Sequence, residues 1–171
     1  WQLDDSGKGT THWKGEHRTR TELETCAPCH SRRHPITGNS HAGEPFLNAY
    51  VPSLLDEGVY FADGQIQEED YEYGSFVQSR MYHEGVTCSD CHNPMARFSA
   101  TGLLRAASIS ETCQTCHAQQ RAEFRKRSHI PVPEGKMSCA DCHAPHGSTT
   151  RALLRGDSVN ETCYTCHADK R

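Results

Sequence analysis

Cys26-Ala-Pro-Cys29-His30 is one of five copies of a single pattern in this chain of 171 residues. The others are Cys88-Ser-Asp-Cys91-His92, Cys113-Gln-Thr-Cys116-His117, Cys139-Ala-Asp-Cys142-His143 and Cys163-Tyr-Thr-Cys166-His167. All 10 cysteines fall in these copies. Cys-x-x-Cys-His is the attachment signature of c-type haem. Each thiol adds across one vinyl group of the porphyrin, and the histidine that follows binds iron from below the ring. The pattern therefore predicts five covalently attached haems, with His30, His92, His117, His143 and His167 as proximal ligands.

Other readings of the cysteines explain less. A disulfide framework suits an exported, cysteine-rich chain, but it gives no reason for a histidine after every second cysteine. Zinc ribbons pair two Cys-x-x-Cys motifs, so five motifs would leave one over. A thioredoxin-like redox pair occurs once, beside a strand–helix unit.

The rest of the composition fits a chain wrapped around porphyrin. Hydrophobic residues make up 35% of it, against roughly 45–50% apolar residues, counting glycine, in ordinary globular domains. Such a chain has little of its own with which to build a core, and haem faces would supply the missing apolar surface. The formal net charge is −4 with histidines neutral, and ionised haem propionates would make the loaded protein more acidic. A basic partner surface is then the expected docking complement. Arg32-Arg33 and Arg125-Lys126-Arg127 are short basic runs that suit solvated faces or propionates, and nothing points to nucleic acid. No apolar run reaches the roughly 20 residues that span a bilayer. Because haem c is attached outside the cytoplasm, the expected location is periplasmic or extracellular, after removal of an export signal.

The motifs start at residues 26, 88, 113, 139 and 163, and the last four are nearly evenly spaced. They form an internal repeat. Cys88-Ser-Asp-Cys-His-Asn-Pro94 matches Cys139-Ala-Asp-Cys-His-Ala-Pro145, Leu103-Leu-Arg105 matches Leu153-Leu-Arg155, and Glu111-Thr-Cys-Gln-Thr-Cys-His-Ala118 matches Glu161-Thr-Cys-Tyr-Thr-Cys-His-Ala168. The expected organisation is an N-terminal segment over 1–87 with the first haem and a Tyr-rich acidic insert, a two-haem module over 88–121, a linker over 122–138, and a second two-haem module over 139–171. The expected fold is mostly α with extensive coil, wrapped around five haems, with little or no β. Ser110-Glu111 and Asn160-Glu161 read as starts of short helices that carry haem motifs. Phe46 to Glu57 and Tyr73 to Tyr82 read as two more, amphipathic. Glu68-Glu69-Asp70 and the insert's tyrosines read as solvated acids and as packing against porphyrin faces, with partner docking as the alternative.

The second axial position of each iron separates a carrier from a catalyst. Beyond the five motif histidines there are seven more. His83 and His129 lie shortly upstream of haem motifs, and His146 follows His143 in Cys-His-Ala-Pro-His. These three are the leading distal candidates. His12, His17 and His41 compete for the remaining irons, and His34, beside its own motif, is the least suitable. The first module has Met95 where the second has His146. A methionine ligand would raise one reduction potential, whereas a flexible apolar filler against porphyrin is the plainer reading.

Two resemblances follow from these words. Residues 24–95 resemble the haem segment of large multihaem cytochromes that also carry tetratricopeptide repeats. The shared words are Glu24-Thr-Cys-Ala-Pro-Cys-His-Ser-Arg-Arg33, Leu54-Leu-Asp-Glu-Gly58, Ala62-Asp-Gly-Gln-Ile66, and Tyr73-Gly-Ser-Phe with Gly85-Val-Thr-Cys-Ser-Asp-Cys-His-Asn-Pro94. Members of that group often have histidine at the positions of Phe61 and Met95. Residues 113–171 are similar to the pentahaem and decahaem electron-transfer cytochromes of anaerobic respiration, which include the donor to nitrite reductase and the conduit of outer-membrane complexes. The match is Ser128-His129, Glu134-Gly-Lys-Met-Ser-Cys-Ala-Asp-Cys-His-Ala-Pro-His-Gly147 and Asn160-Glu-Thr-Cys-Tyr-Thr-Cys-His-Ala-Asp-Lys170. That resemblance implies distal roles for His129 and His146. It also implies an electron carrier with transient donor and acceptor partners. A protomer of an extracellular cytochrome filament is the alternative, and a reductase with one open haem the third reading.

Overall fold

The computed structural model describes residues 1–3, 9–16, 18–53, 56–68, 71–95, 103–127 and 130–171. Two expected distal ligands, His17 and His129, lie outside the described residues, as do Leu54, Leu55, Glu69 and Asp70 of the insert. The chain divides into two compact units. One joins Trp1–Glu16 to Val86–Asp141, the other His17–Gly85 to Cys142–Arg171. This division cuts across the order of modules along the sequence.

Regular structure is short throughout. Two antiparallel pairs are formed by β1 (Gln2–Leu3) with β2 (Thr11–His12) and by β3 (Arg33–Pro35) with β4 (Tyr50–Pro52). The helices are α1 (Thr21–Cys26), α2 (Glu72–Phe76), α3 (Arg80–His83), α4 (Cys88–Cys91), α5 (Ile109–Gln114), α6 (Ala118–Phe124) and α7 (Val159–Tyr164). The longest of these has seven residues. Isolated helices below about 12–15 residues are marginal in water, so caps and tertiary contacts must hold these.

The caps are visible in the sequence, though two residues upstream of where Ser110 and Asn160 had pointed. Ser108 caps α5 and Ser158 caps α7, each hydroxyl accepting from the amide of the glutamate three residues on at 3.1 Å. Ser-x-x-Glu is the spacing at which a hydroxyl reaches the third amide of a helix. Ser110 and Asn160 sit inside the first turn instead.

In the unit that holds residues 17–85, α1 packs on an aromatic cluster. Phe46 is 2% exposed, stacks on Tyr50 at 5.3 Å and meets Tyr73 at 4.9 Å. Its amide donates to Glu24 Oε2 of α1 at 2.5 Å, and Leu23 and Ala27 are buried on the same side of the chain. The helix expected over Phe46–Glu57 does not form. Phe46–Asn48 makes one 3-10 turn, and Tyr50–Pro52 then pairs with β3, because the Phe46–Tyr50 stack and the β-branched Val51 suit an extended strand. The helix expected over Tyr73–Tyr82 is two helices. Ser79 is fully buried, and its hydroxyl accepts from the Tyr82 amide at 3.1 Å, so it starts α3 afresh.

Phe46 ties α1, and with it the first haem motif, to the insert. Phe46→Ala should cost about 3–5 kcal/mol. Urea unfolding of the haem-loaded protein followed by far-ultraviolet circular dichroism reads this directly. A loss near that of a surface substitution, about 0.5 kcal/mol, would show that the aromatic cluster does not anchor α1.

Candidate haem-attachment motifs

The motifs fold as single helical turns. The amide of the motif histidine donates to the carbonyl of the first cysteine at 3.0 Å in His30, 2.8 Å in His92, and 3.0 Å in His117 and His167. Residues three and four apart share one face of a helix. The turn thus sends two thiols and an imidazole to the same side, which is what a porphyrin edge with two vinyl groups and a central iron requires. None of the ten cysteines is joined in a disulfide. Among the described residues no three His, Cys, Asp or Glu converge as they would on a bare metal ion. The donor set fits haem c.

The two modules build this turn in the same way. The amide before the first cysteine donates to the aspartate inside the motif, from Thr87 to Asp90 Oδ2 at 2.8 Å and from Ser138 to Asp141 Oδ2 at 2.6 Å. The Leu-Leu-Arg words, which carried no role in the sequence, return the chain to the motif. Asn93 donates to the Leu103 carbonyl at 2.7 Å and Ala144 to that of Leu153 at 2.8 Å, while Arg105 and Arg155 donate to the carbonyls of Cys91 and Cys142 at 2.9 Å. His92 bridges to Leu104 and His143 to Leu154. Beyond the Ser cap, Thr112 and Thr162 are buried. Their hydroxyls donate to the Ser108 and Ser158 carbonyls at 3.0 Å.

At His143 and His117 the ring nitrogen Nδ1 has a partner. His143 Nδ1 lies 2.8 Å from the Ala152 carbonyl. A carbonyl only accepts, so Nδ1 carries the proton and Nε2 keeps its lone pair, the arrangement that fixes the ring of a metal-binding histidine and raises its basicity. Ala152 reaches this position with φ 57° and ψ 27°, in the left-handed region that disfavours any residue with a Cβ. The matching residue of the first module is Gly102. His117 Nδ1 lies 3.4 Å from the Thr10 hydroxyl. The strand pair β1–β2 is fastened beside it, with Thr11 donating to the Cys116 carbonyl at 3.0 Å and Gln119 to that of Gly9 at 3.1 Å.

Within the unit that holds residues 86–141, thiols of different motifs are neighbours. The Cys139 amide donates to the Ser110 hydroxyl at 3.3 Å, which sets the Cys139 thiol against α5. Contact with Cys139 and burial push the Cys113 thiol up, with Cys91 adding to the effect. Burial pushes the Cys91 thiol up as well, helped by the Asp90 carboxylate and by Cys116. Within this unit the first thiol of motif four thus lies beside motif three, and the thiols of motifs two and three lie near one another.

The distal candidates differ sharply in setting. His146 is half-buried, with its Nδ1 2.5 Å from Glu72 Oε2. His83 ends α3 with its ring edge-on to Tyr82 at 5.3 Å. His12 is half-buried on β2. His41 is exposed, with Nδ1 3.3 Å from Glu44 Oε1. His34 is exposed on β3. Met95 is 91% exposed, and its amide donates to Asn93 Oδ1 at 3.2 Å. Glu72, Thr10 and Ala152 were not singled out by the sequence: Glu72 and Thr10 meet histidines far along the chain, and Ala152 acts through its backbone carbonyl.

The doubled CXXCH motif family matches residues 81–122 and 129–171, and so takes in motifs two to five. The chain is also 33% identical, over 126 residues, to the multiheme cytochrome MtrA of Shewanella baltica (strain OS185). That alignment covers 73% of this chain and 36% of MtrA, so the chain spans about a third of the length of this relative.

The Ala152 geometry yields a test. Ala152→Gly should stabilise the loaded protein by about 1 kcal/mol, because glycine enters the left-handed region without penalty. Ala152→Val should destabilise it and broaden the low-spin signal of the haem on His143. Equal stability of both variants in thermal melts would show that the turn is unstrained.

Proposed function

We propose that this chain, which belongs to the multihaem c-type cytochromes, relays single electrons among five covalently attached haems of a respiratory chain. The observation that carries this reading is the convergence of motifs two, three and four, where the Cys113 and Cys139 thiols are neighbours and Cys139 is bonded to α5 through Ser110. Cofactors anchored by adjacent thiols lie close together, as electron tunnelling requires. When bound, haem supplies a one-electron iron couple.

The chain's own residues supply attachment, orientation and potential. The cysteine pairs fix each ring through two thioether bonds: each thiol proton goes to one vinyl carbon and each sulfur to the other. His30, His92, His117, His143 and His167 are the proximal ligands. Ala152 and Thr10 orient two of these rings, which lowers the freedom of each iron to reorganise. His83, His129 and His146 supply distal ligands, with His12, His17 and His41 for the rest. A filled sixth position keeps small substrates off iron, which makes the protein a carrier rather than an enzyme. The Cys26 motif lies outside the two family matches, and its one-turn geometry, with the His30 amide 3.0 Å from the Cys26 carbonyl, supports a fifth haem there.

Attachment of haem c points to a periplasmic or extracellular site. Among the described residues no helix is long and apolar enough to cross a membrane. The acidic net charge suits transient docking to basic surfaces of redox partners. Such interfaces belong to the small end of the size range.

Two measurements check the reading. Intact-mass analysis should count five haems, falling to four in the Cys26→Ser, Cys29→Ser double variant. Electron paramagnetic resonance of the oxidised protein should show low-spin iron only. A high-spin component would place an open iron in the chain and turn the reading to a reductase, with Met95 as the first position to suspect.

A further inference from the structure

The segment His146-Gly147 is held on α2 by two separate contacts. His146 Nδ1 lies 2.5 Å from Glu72 Oε2. That oxygen is shut off from solvent and receives no well-angled hydrogen bond among the described residues, and the His146 imidazole is the group that faces it. One residue on, Gly147 lies so flat against α2 that a Cβ there would come within 2.3 Å of the Ser75 carbonyl oxygen. The Ser75 hydroxyl, buried, donates to the carbonyls of Gly64 at 2.5 Å and Gly147 at 3.4 Å. Glu72 and Ser75 are three residues apart and share one face of the helix. The helix is itself pinned to the first motif, since the Tyr73 amide donates to the His30 carbonyl at 2.9 Å. His146 and Glu72 both line an open cleft of about 260 Å³.

A carboxylate on Nδ1 has a defined effect on a histidine whose Nε2 binds metal. It fixes the tautomer, locks the ring plane and adds electron density to the donor nitrogen. A stronger donor favours ferric over ferrous iron. We propose that Glu72 is the positioning residue for His146: it orients the imidazole through Nδ1 and lowers the reduction potential of the haem that His146 ligates. The inference rests on the distal role of His146 given above. The first module has no counterpart, because Met95 at the matching position has no ring nitrogen to hold.

Glu72→Gln keeps the side-chain shape and removes the charge. Loss of the group that holds a ligand weakens it by about tenfold; where the ferric form loses that much more than the ferrous, the potential changes by 59 mV. The expected result in a spectroelectrochemical titration of the haem-loaded protein is that one of the haems rises by that amount while all stay low-spin. The same haem should change its g-values, because ring orientation and donor strength set the ligand field. Glu72→Asp should restore part of both shifts.

A rise in potential with unchanged g-values would mean that Glu72 acts only as a nearby charge, and it would overturn the proposal. Unchanged potentials in Glu72→Gln would overturn it too, and would leave the distal role of His146 standing if His146→Met still alters one low-spin signal. If His146→Met leaves every signal and potential as it was, the distal role itself fails, and the inference with it.

Discussion

One helical turn that must point two thiols and an imidazole the same way is the constraint on which the rest of this protein depends. Positions one, four and five of Cys-x-x-Cys-His meet it only when the turn closes, and the amide of the histidine bonds the first cysteine's carbonyl in four motifs at 2.8–3.0 Å. A turn this short has no stability of its own. It is therefore braced from outside, by Asp90 and Asp141 on the preceding amides, by Ser108 and Ser158 as caps, and by the Leu-Leu-Arg segments bonded to the motif. The polar residues that crowd these motifs, which make the chain so hydrophilic, are the braces.

The same constraint explains why apolar packing is thin. Among the described residues the buried apolar set is Leu23, Ala27, Phe46, Ala49, Tyr60, Phe76, Val132 and Ala144, far too little to bury a chain of this length in the ordinary way. Backbone hydrogen bonds and caps carry the local shape instead. Positive φ at Leu103, Ala152 and Leu153 costs energy that a well-packed fold would avoid. It is tolerated because it delivers carbonyls to a ligand ring and to the residue after it.

What could be read from the sequence was whatever depends on near neighbours in the chain. The motifs, the duplication and the Ser-x-x-Glu caps all act within a few residues, so spacing alone locates them, with the cap misplaced by two residues at Ser108 and Ser158. The Leu-Leu-Arg match was visible as a repeat, but its purpose was not, since the bond from Arg105 to Cys91 joins residues far apart in the chain. Phe46–Glu57 looked helical because apolar residues recur there at helical spacing. The strand pairing with Arg33–Pro35 overrode that pattern, and no local signal announces such a pairing. Glu72, Thr10 and the strand pair β1–β2 were out of reach for the same reason, each meeting its histidine or cysteine from more than 70 residues away.

The duplication shows where the two modules have been allowed to differ. Paired distances in the attachment machinery agree closely: 3.1 and 3.1 Å at the serine caps, 3.0 and 3.0 Å at Thr112 and Thr162, 2.9 and 2.9 Å at Arg105 and Arg155. Among the matched positions where the modules differ, one pairs His146 with Met95. The histidine is half-buried and held by a carboxylate, while the methionine is 91% exposed. Attachment tolerates little change, because a misdirected thiol misses its vinyl group. The other face of iron tolerates much, because imidazole, thioether or a tuned imidazole all leave the ring in place and alter only its potential. A relay of the kind proposed above would use that freedom to set the potential of each site. On that reading, the position after the Cys-His-x-Pro word is where a duplicated module would acquire its own potential without losing its haem.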